Sequence, residues 1–98
     1  MKNEIGSASL TIAPRLCEAP RGARGRVLGL KVDGDGHGVS AAELERRLLE
    51  IGFVEGVDFE ILHVGLIGGD PIAVRVNDTR IALRRREARA IEIQLDRE

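Results

Sequence analysis

The segment Asp33–Gly38 holds the side chains that most resemble a metal-binding loop. Its alternating aspartates, Asp33 and Asp35, are typical of the start of a calcium loop, which needs glycine at its sixth position and a bidentate glutamate at its twelfth. Gly38 fits the sixth position, but Leu44 occupies the twelfth. We therefore interpret this segment as a flexible turn and expect no calcium site.

Soft metal ligands are few and scattered, because the chain has only Cys17, His37 and His63. A firmly held zinc or ferrous ion needs three or four convergent ligands. A nucleophilic triad would need a histidine and a carboxylate positioned beside Cys17, and the spacing does not indicate one. We expect no metal site, no cofactor and no catalytic residue, and we interpret His63 as a partly buried residue at a strand end.

The densest basic cluster lies near the C-terminus and consists of Arg80, Arg84, Arg85, Arg86 and Arg89. One hypothesis is a basic-rimmed regulatory or nucleic-acid-binding module. Proteins that bind single strands usually combine such charge with stacking aromatic residues, which this segment lacks. Two other interpretations stay open: a basic rim that meets an acidic protein partner, and a solvated edge.

Composition narrows the class of protein. A chain of 98 residues suits one domain, and its formal net charge of −1 gives no overall attraction to nucleic acid or anionic lipid. The single cysteine fits a reducing compartment. No apolar run approaches the roughly 20 residues that span a bilayer. We expect a cytoplasmic protein without membrane insertion.

The residue patterns in the first half of the chain predict a strand and a helix. Arg26–Val32 is predicted as a strand that buries Leu28, Leu30 and Val32 on one face. The helix is predicted over Ser40–Ile51, from a capping box of Ser40 with Glu43 and an apolar face of Leu44, Leu48 and Ile51; Val39 would pack on Leu44. Gly52 follows as the helix C-cap.

The residue patterns in the second half of the chain predict strands joined by tight turns. Apolar residues alternate with polar ones at Val57–Ile61, Ile72–Val76 and Ile91–Leu95, with a return strand through Ile81 and Leu83. Turns are predicted at 55–56, at 68–71 and at the Asn77–Asp78 hairpin, and one helical turn at 85–89. About five short antiparallel strands with one helix after the first predict a small barrel.

On these residues the chain resembles the FeoA family. The matching pieces are the helix end Arg47–Phe53, then Gly56, then Gly69–Ile72, then Ile81–Arg84 followed by Glu87–Ala88. Leu16–Val32 is similar to the family's opening turn and first strand. The resemblance implies an SH3-like domain over residues 16–96, preceded by a flexible tail or edge strand at 1–15.

The resemblance further implies a non-enzymatic accessory protein of ferrous iron uptake, whose partner is the membrane GTPase transporter FeoB. We expect the partner-binding surface among the exposed arginines and the helix surface, and self-association through a strand edge or the helix is a further hypothesis. The candidate residues are Leu49, Phe53, Arg75, Arg80, Arg84, Arg85 and Arg86.

Overall fold

Five short strands and one longer helix account for most of the residues that the structure describes, as the alternation of apolar residues predicts. The computed structural model describes residues 13–32 and 41–96. A 3-10 helix over Leu16–Glu18 comes first. The later elements are β1 (Arg24–Leu30), α1 (Ala41–Ile51), β2 (Asp58–Gly65), β3 (Gly69–Val76), β4 (Thr79–Leu83), α2 (Arg85–Ala88) and β5 (Ile91–Leu95).

The strands form one antiparallel sheet in the order β4–β3–β2–β1–β5. The β3–β4 hairpin turns at Asn77–Asp78, with Val76 paired to Thr79. Asn77 has a φ of 54°, a conformation that asparagine tolerates better than most residues. The predicted hairpin is therefore confirmed, and α2 connects the edge strand β4 to the opposite edge strand β5.

Helix α1 agrees with its predicted pattern. Leu44 and Leu48 are buried, while Ile51 packs at the margin of the core. The backbone N–H groups of Gly52 and Phe53 both donate to the carbonyl oxygen of Leu48, and Gly52 has a φ of +126°. Gly52 thus ends the helix as predicted. The proposed capping residue Ser40, its neighbour Val39 and the Asp33–Gly38 segment lie outside the described residues.

The predicted buried face of β1 is wrong in its first half. Val27 is buried, whereas Leu28 is 41% exposed. The pairing of β1 with β5 shifts between Val27 and Gly29, so a bulge changes which side chains point inward. Leu30 and Val32, beyond the bulge, pack against the core as predicted.

The prediction that His63 is partly buried is wrong, and a second bulge explains why. The pairing of β2 with β3 shifts between Ile61 and His63, so the alternation that buries Phe59 and Ile61 does not continue. His63 is exposed instead of partly buried. The predicted turn at 68–71 also begins earlier, because β3 starts at Gly69 and includes Asp70 and Pro71.

One hydrophobic core gathers side chains from every strand and helix. The two phenylalanines, Phe53 and Phe59, are fully buried in it. The other large fully buried side chains are Leu16, Leu48, Ile61, Ile72, Leu83, Ile91, Ile93, Val27, Val74 and Val76. The sheet therefore packs on a single core that is mostly aliphatic.

The residues directly before the 3-10 helix contact strand β5. The N–H of Ile93 donates to the carbonyl oxygen of Pro14, and Arg15 forms a bridge with Glu92. Residues 14 and 15 thus extend the β5 edge, and the fully buried Leu16 anchors them to the core.

Candidate partner-binding groove

The predicted partner-binding residues separate into distinct places on the fold. Arg84 and Arg86 line an open groove beside α1, which we call the arginine groove. Arg75 and Arg80 lie opposite each other on the β3–β4 hairpin. Leu49 lies on α1 and is 42% exposed.

The arginine groove has a volume of about 740 Å³ and lies between α1, the start of α2 and the end of the β2–β3 hairpin. Its apolar lining comes from Leu44, Ile67, Pro71, Ala82 and Leu83. Its charged lining comes from Arg47, Asp70, Arg84, Arg86 and Glu87. Strand β4 and its continuation into α2 place Ala82–Arg84 and Arg86 along one side of the groove.

Both carboxylates in the groove are held by groups of the chain itself. Glu87 forms an ion pair with Arg47 of α1 and accepts a hydrogen bond from the N–H of Arg84 at 3.0 Å. Asp70 accepts a hydrogen bond from the N–H of Arg85 at 2.8 Å. These bonds satisfy N–H groups at the start of α2, which otherwise have no partner within the helix.

The three consecutive arginines have different surroundings. Arg84 and Arg86 are exposed, and neither guanidinium forms an ion pair within residues 13–32 and 41–96. Arg85 is half-buried and lies over the hairpin end, where a Cβ added at Gly69 would be 2.9 Å from its Nη1. Arg84 and Arg86 therefore supply accessible positive charge, whereas Arg85 packs against the fold.

The charge of Arg75 is compensated by two carboxylates of the neighbouring strand β2. Its Nη1 lies 3.3 Å from Asp58 and its Nε 3.7 Å from Glu60. The same Nη1 donates to the carbonyl oxygen of Asn77 at 2.6 Å. Arg80, across from Arg75 on β4, is exposed. This end of the sheet carries mixed charge and does not extend the arginine groove.

The expectation that Phe53 belongs to the partner-binding surface is wrong, because its side chain is fully buried. The turn at Gly52 directs the chain inward after α1, and Phe53 then fills the core. Leu49 keeps an exposed apolar surface on α1, but it does not line the arginine groove.

Two exposed apolar residues that the sequence reasoning missed lie at the end of the β2–β3 hairpin. Leu66 is 95% exposed and Ile67 is 85% exposed, and Ile67 lines the arginine groove. A signal was present in the sequence, because both residues directly precede Gly68 and Gly69. Apolar residues at a glycine-rich turn lie outside the strands that bury their neighbours.

The family model for the FeoA domain matches residues 15–95. The chain belongs to the FeoA family. Among solved structures, FeoA of Stenotrophomonas maltophilia is 35% identical with a TM-score of 0.68, and the match covers 84% of this chain and 91% of that one. That protein is a prokaryotic SH3-domain protein complexed with zinc and put forward as an activating factor of ferrous iron transport.

Other solved structures share the same architecture. The FeoA-like protein of Clostridium acetobutylicum is 25% identical with a TM-score of 0.72, and the match covers 90% of this chain and 92% of that one. A manganese-dependent transcriptional repressor is 21% identical with a TM-score of 0.69, over 87% of this chain and 37% of its own. The similarity to this repressor supports the fold alone. No curated protein matches the chain.

This FeoA-family chain has an SH3-like fold, as predicted from its strands and from the resemblance. Within the described residues, no three histidine, cysteine or carboxylate side chains come together as a metal site. No helix in the same ranges is long and apolar enough to cross a membrane. His37 lies outside the described residues.

Proposed function

We propose that this protein is a non-enzymatic accessory protein of ferrous iron uptake, which acts in the cytoplasm by contacting a FeoB-like membrane GTPase transporter. The observation that supports the proposal most is the match to the FeoA domain, which spans residues 15–95. The 35% identity to a protein put forward as an activator of ferrous iron transport points the same way.

The surface of the chain is suited to binding more than to covalent chemistry. Asp70 and Glu87, the carboxylates of the arginine groove, accept hydrogen bonds from backbone N–H groups and hold α2 in place. They are thus structural acceptors, not acid and base positioned around a reactant. Beside them, apolar and cationic side chains remain available to a partner.

The nucleic-acid hypothesis has less support. Both phenylalanines are fully buried, and the chain has no tyrosine or tryptophan on which bases would stack. Arg85, one of the arginines of the basic cluster, is half-buried and packs over the hairpin end at Gly69. The similarity to a repressor covers its fold only.

A binding measurement with the cytoplasmic GTPase domain of the FeoB transporter from the same organism tests the proposal. Biolayer interferometry would be run with GTP analogue, with GDP and without nucleotide. We expect saturable association in at least one nucleotide state. Absence of association in all three states at high protein concentration would contradict the proposed contact.

A further inference from the structure

We infer that the arginine groove binds a segment of a protein partner that carries apolar side chains flanked by carboxylates. This inference rests on the proposed function, because it names the surface and the chemistry of the contact. It differs from the sequence prediction, which placed the apolar part of the contact at Leu49 and Phe53.

The apolar part of the groove is accessible and continuous with the hairpin end. Ile67 forms one wall and is 85% exposed, and Leu66 beside it is 95% exposed. Pro71 and Ala82 are also exposed and line the same groove. An exposed aliphatic surface next to a concave site is typical of a place where a protein segment docks.

The hairpin end is held in one arrangement by short-range contacts. The N–H of Asp70 donates to the carbonyl oxygen of Ile67 at 3.1 Å, and Gly68 and Gly69 both have positive φ. A Cβ on Gly65 would lie 2.1 Å from the carbonyl oxygen of Asp70, so the two strands approach closely here. Ile67 therefore lies on a hydrogen-bonded turn. Because this turn is already ordered before a partner binds, the entropic cost of binding is lower.

The charged side chains of the arginine groove indicate the chemistry of the partner segment. The carboxylates of Asp70 and Glu87 are engaged within the chain, as is Arg47 through its ion pair with Glu87. Arg84 and Arg86 have no ion-pair partner in the described parts of the chain. The lining thus holds three arginines against two carboxylates, which gives it a net charge of +1, and Arg84 and Arg86 can form charge-assisted hydrogen bonds with a carboxylate-bearing segment.

A protein segment fits this surface better than an anionic membrane does. Arg84 and Arg86 line the same concavity as Ile67, which has a volume of about 740 Å³. A planar lipid surface reaches the protruding Leu66 and Ile67 but does not fill the groove beneath them. A segment with side chains of its own contacts the apolar lining and both arginines together.

The test combines two protein-type probes with one lipid probe. The first is the FeoB cytoplasmic domain, and the second is a synthetic helical peptide with leucines along one face and glutamates beside them. A copy of the peptide with lysine in place of glutamate is the charge control. Vesicles of phosphatidylcholine with phosphatidylglycerol are the lipid probe. Amide shifts of ¹⁵N-labelled protein map where each probe binds.

The groove variants are Ile67→Ser and the double variant Arg84→Glu/Arg86→Glu. The matched control is Arg21→Glu/Arg26→Glu, which changes the charge equally at two exposed arginines that do not line the groove. We expect the groove double variant to weaken binding by about tenfold or more, because the two new glutamates repel the carboxylates of the partner segment. The control should bind within about twofold of wild type, since distant exposed charges contribute little. Amide spectra of each variant confirm that it is folded.

The outcomes separate the inference from the proposed function. Shifts centred on residues 67, 82 and 84, with loss of binding in the groove variants only, support the inference. Binding of the FeoB domain elsewhere leaves the proposed function standing and overturns the inference. Binding of the glutamate peptide alone, in the groove, supports the inference and contradicts the FeoB contact. Equal binding of the lysine peptide, binding of vesicles only, or no binding of any probe overturns the inference.

Discussion

The carboxylate of Asp70 accepts a hydrogen bond from the backbone N–H of Arg85, with 2.8 Å between Oδ1 and N. Asp70 lies near the start of β3, and Arg85 is the first residue of α2. The side chain of Arg84, which precedes the helix, has no oxygen that could cap it, so an aspartate 15 residues before Arg85 caps the helix instead. This bond joins the start of β3 to the start of α2, beside the arginine groove that Asp70 lines.

Replacing Asp70 should destabilise the fold. Asp70→Ala leaves the N–H of Arg85 without its acceptor, and we expect a loss of about 1–2 kcal/mol in the free energy of unfolding. Asp70→Asn keeps an acceptor oxygen and should recover part of the loss. Asp96→Ala, at an exposed residue beyond β5, is the control and should stay within about 0.5 kcal/mol of wild type. Urea denaturation measures all three, and equal values for Asp70→Ala and the control would refute this cap.

Leu48 and Leu49 are neighbours on α1 with opposite roles. Leu48 is fully buried, whereas Leu49 is 42% exposed. Leu48→Ala removes core contacts and leaves a cavity, so we expect a loss of about 2–5 kcal/mol. Leu49→Ala should cost less than about 1 kcal/mol. Thermal or urea unfolding compares the pair, and a larger loss for Leu49→Ala would mean that the orientation of α1 is wrong.

Two glycines of β1 give a test of the sheet packing. A Cβ on Gly25 would lie 2.0 Å from the carbonyl oxygen of Gln94 in β5, while nothing lies within 4 Å of a Cβ on Gly29. Gly25→Ala must therefore separate β1 from β5, and we expect a loss of about 1–3 kcal/mol. Gly29→Ala should be neutral or slightly stabilising, by up to about 1 kcal/mol. Similar unfolding midpoints for the two variants would contradict the β1–β5 pairing.

The sequence predicted the type and order of the elements because their signals are local. Alternation identified the strands, the spacing of Leu44 and Leu48 identified α1, and Gly52 marked its end. The errors at Leu28 and His63 have one cause, since each lies at a bulge where two strands lose register. A bulge depends on the pairing of distant strands, and the alternation within one strand does not reveal it.

The candidate site could be predicted only in part. The density of arginines drew attention to Arg84 and Arg86, which the structure places in the groove. The sequence did not show that Arg85 packs over Gly69 or that Arg75 is paired with Asp58 and Glu60. The surroundings of these two arginines depend on which strands are neighbours in the sheet. Ile67 was missed because its exposure follows from the hairpin turn and not from its residue type.

The most direct test of the central claim is the uptake of radiolabelled ferrous iron by cells that express the FeoB transporter but lack this protein. We expect reduced uptake, restored by the wild-type protein and by Arg21→Glu/Arg26→Glu, and not restored by Arg84→Glu/Arg86→Glu produced at the same level. Uptake that is the same with and without the protein would contradict its assignment as an accessory of ferrous iron transport.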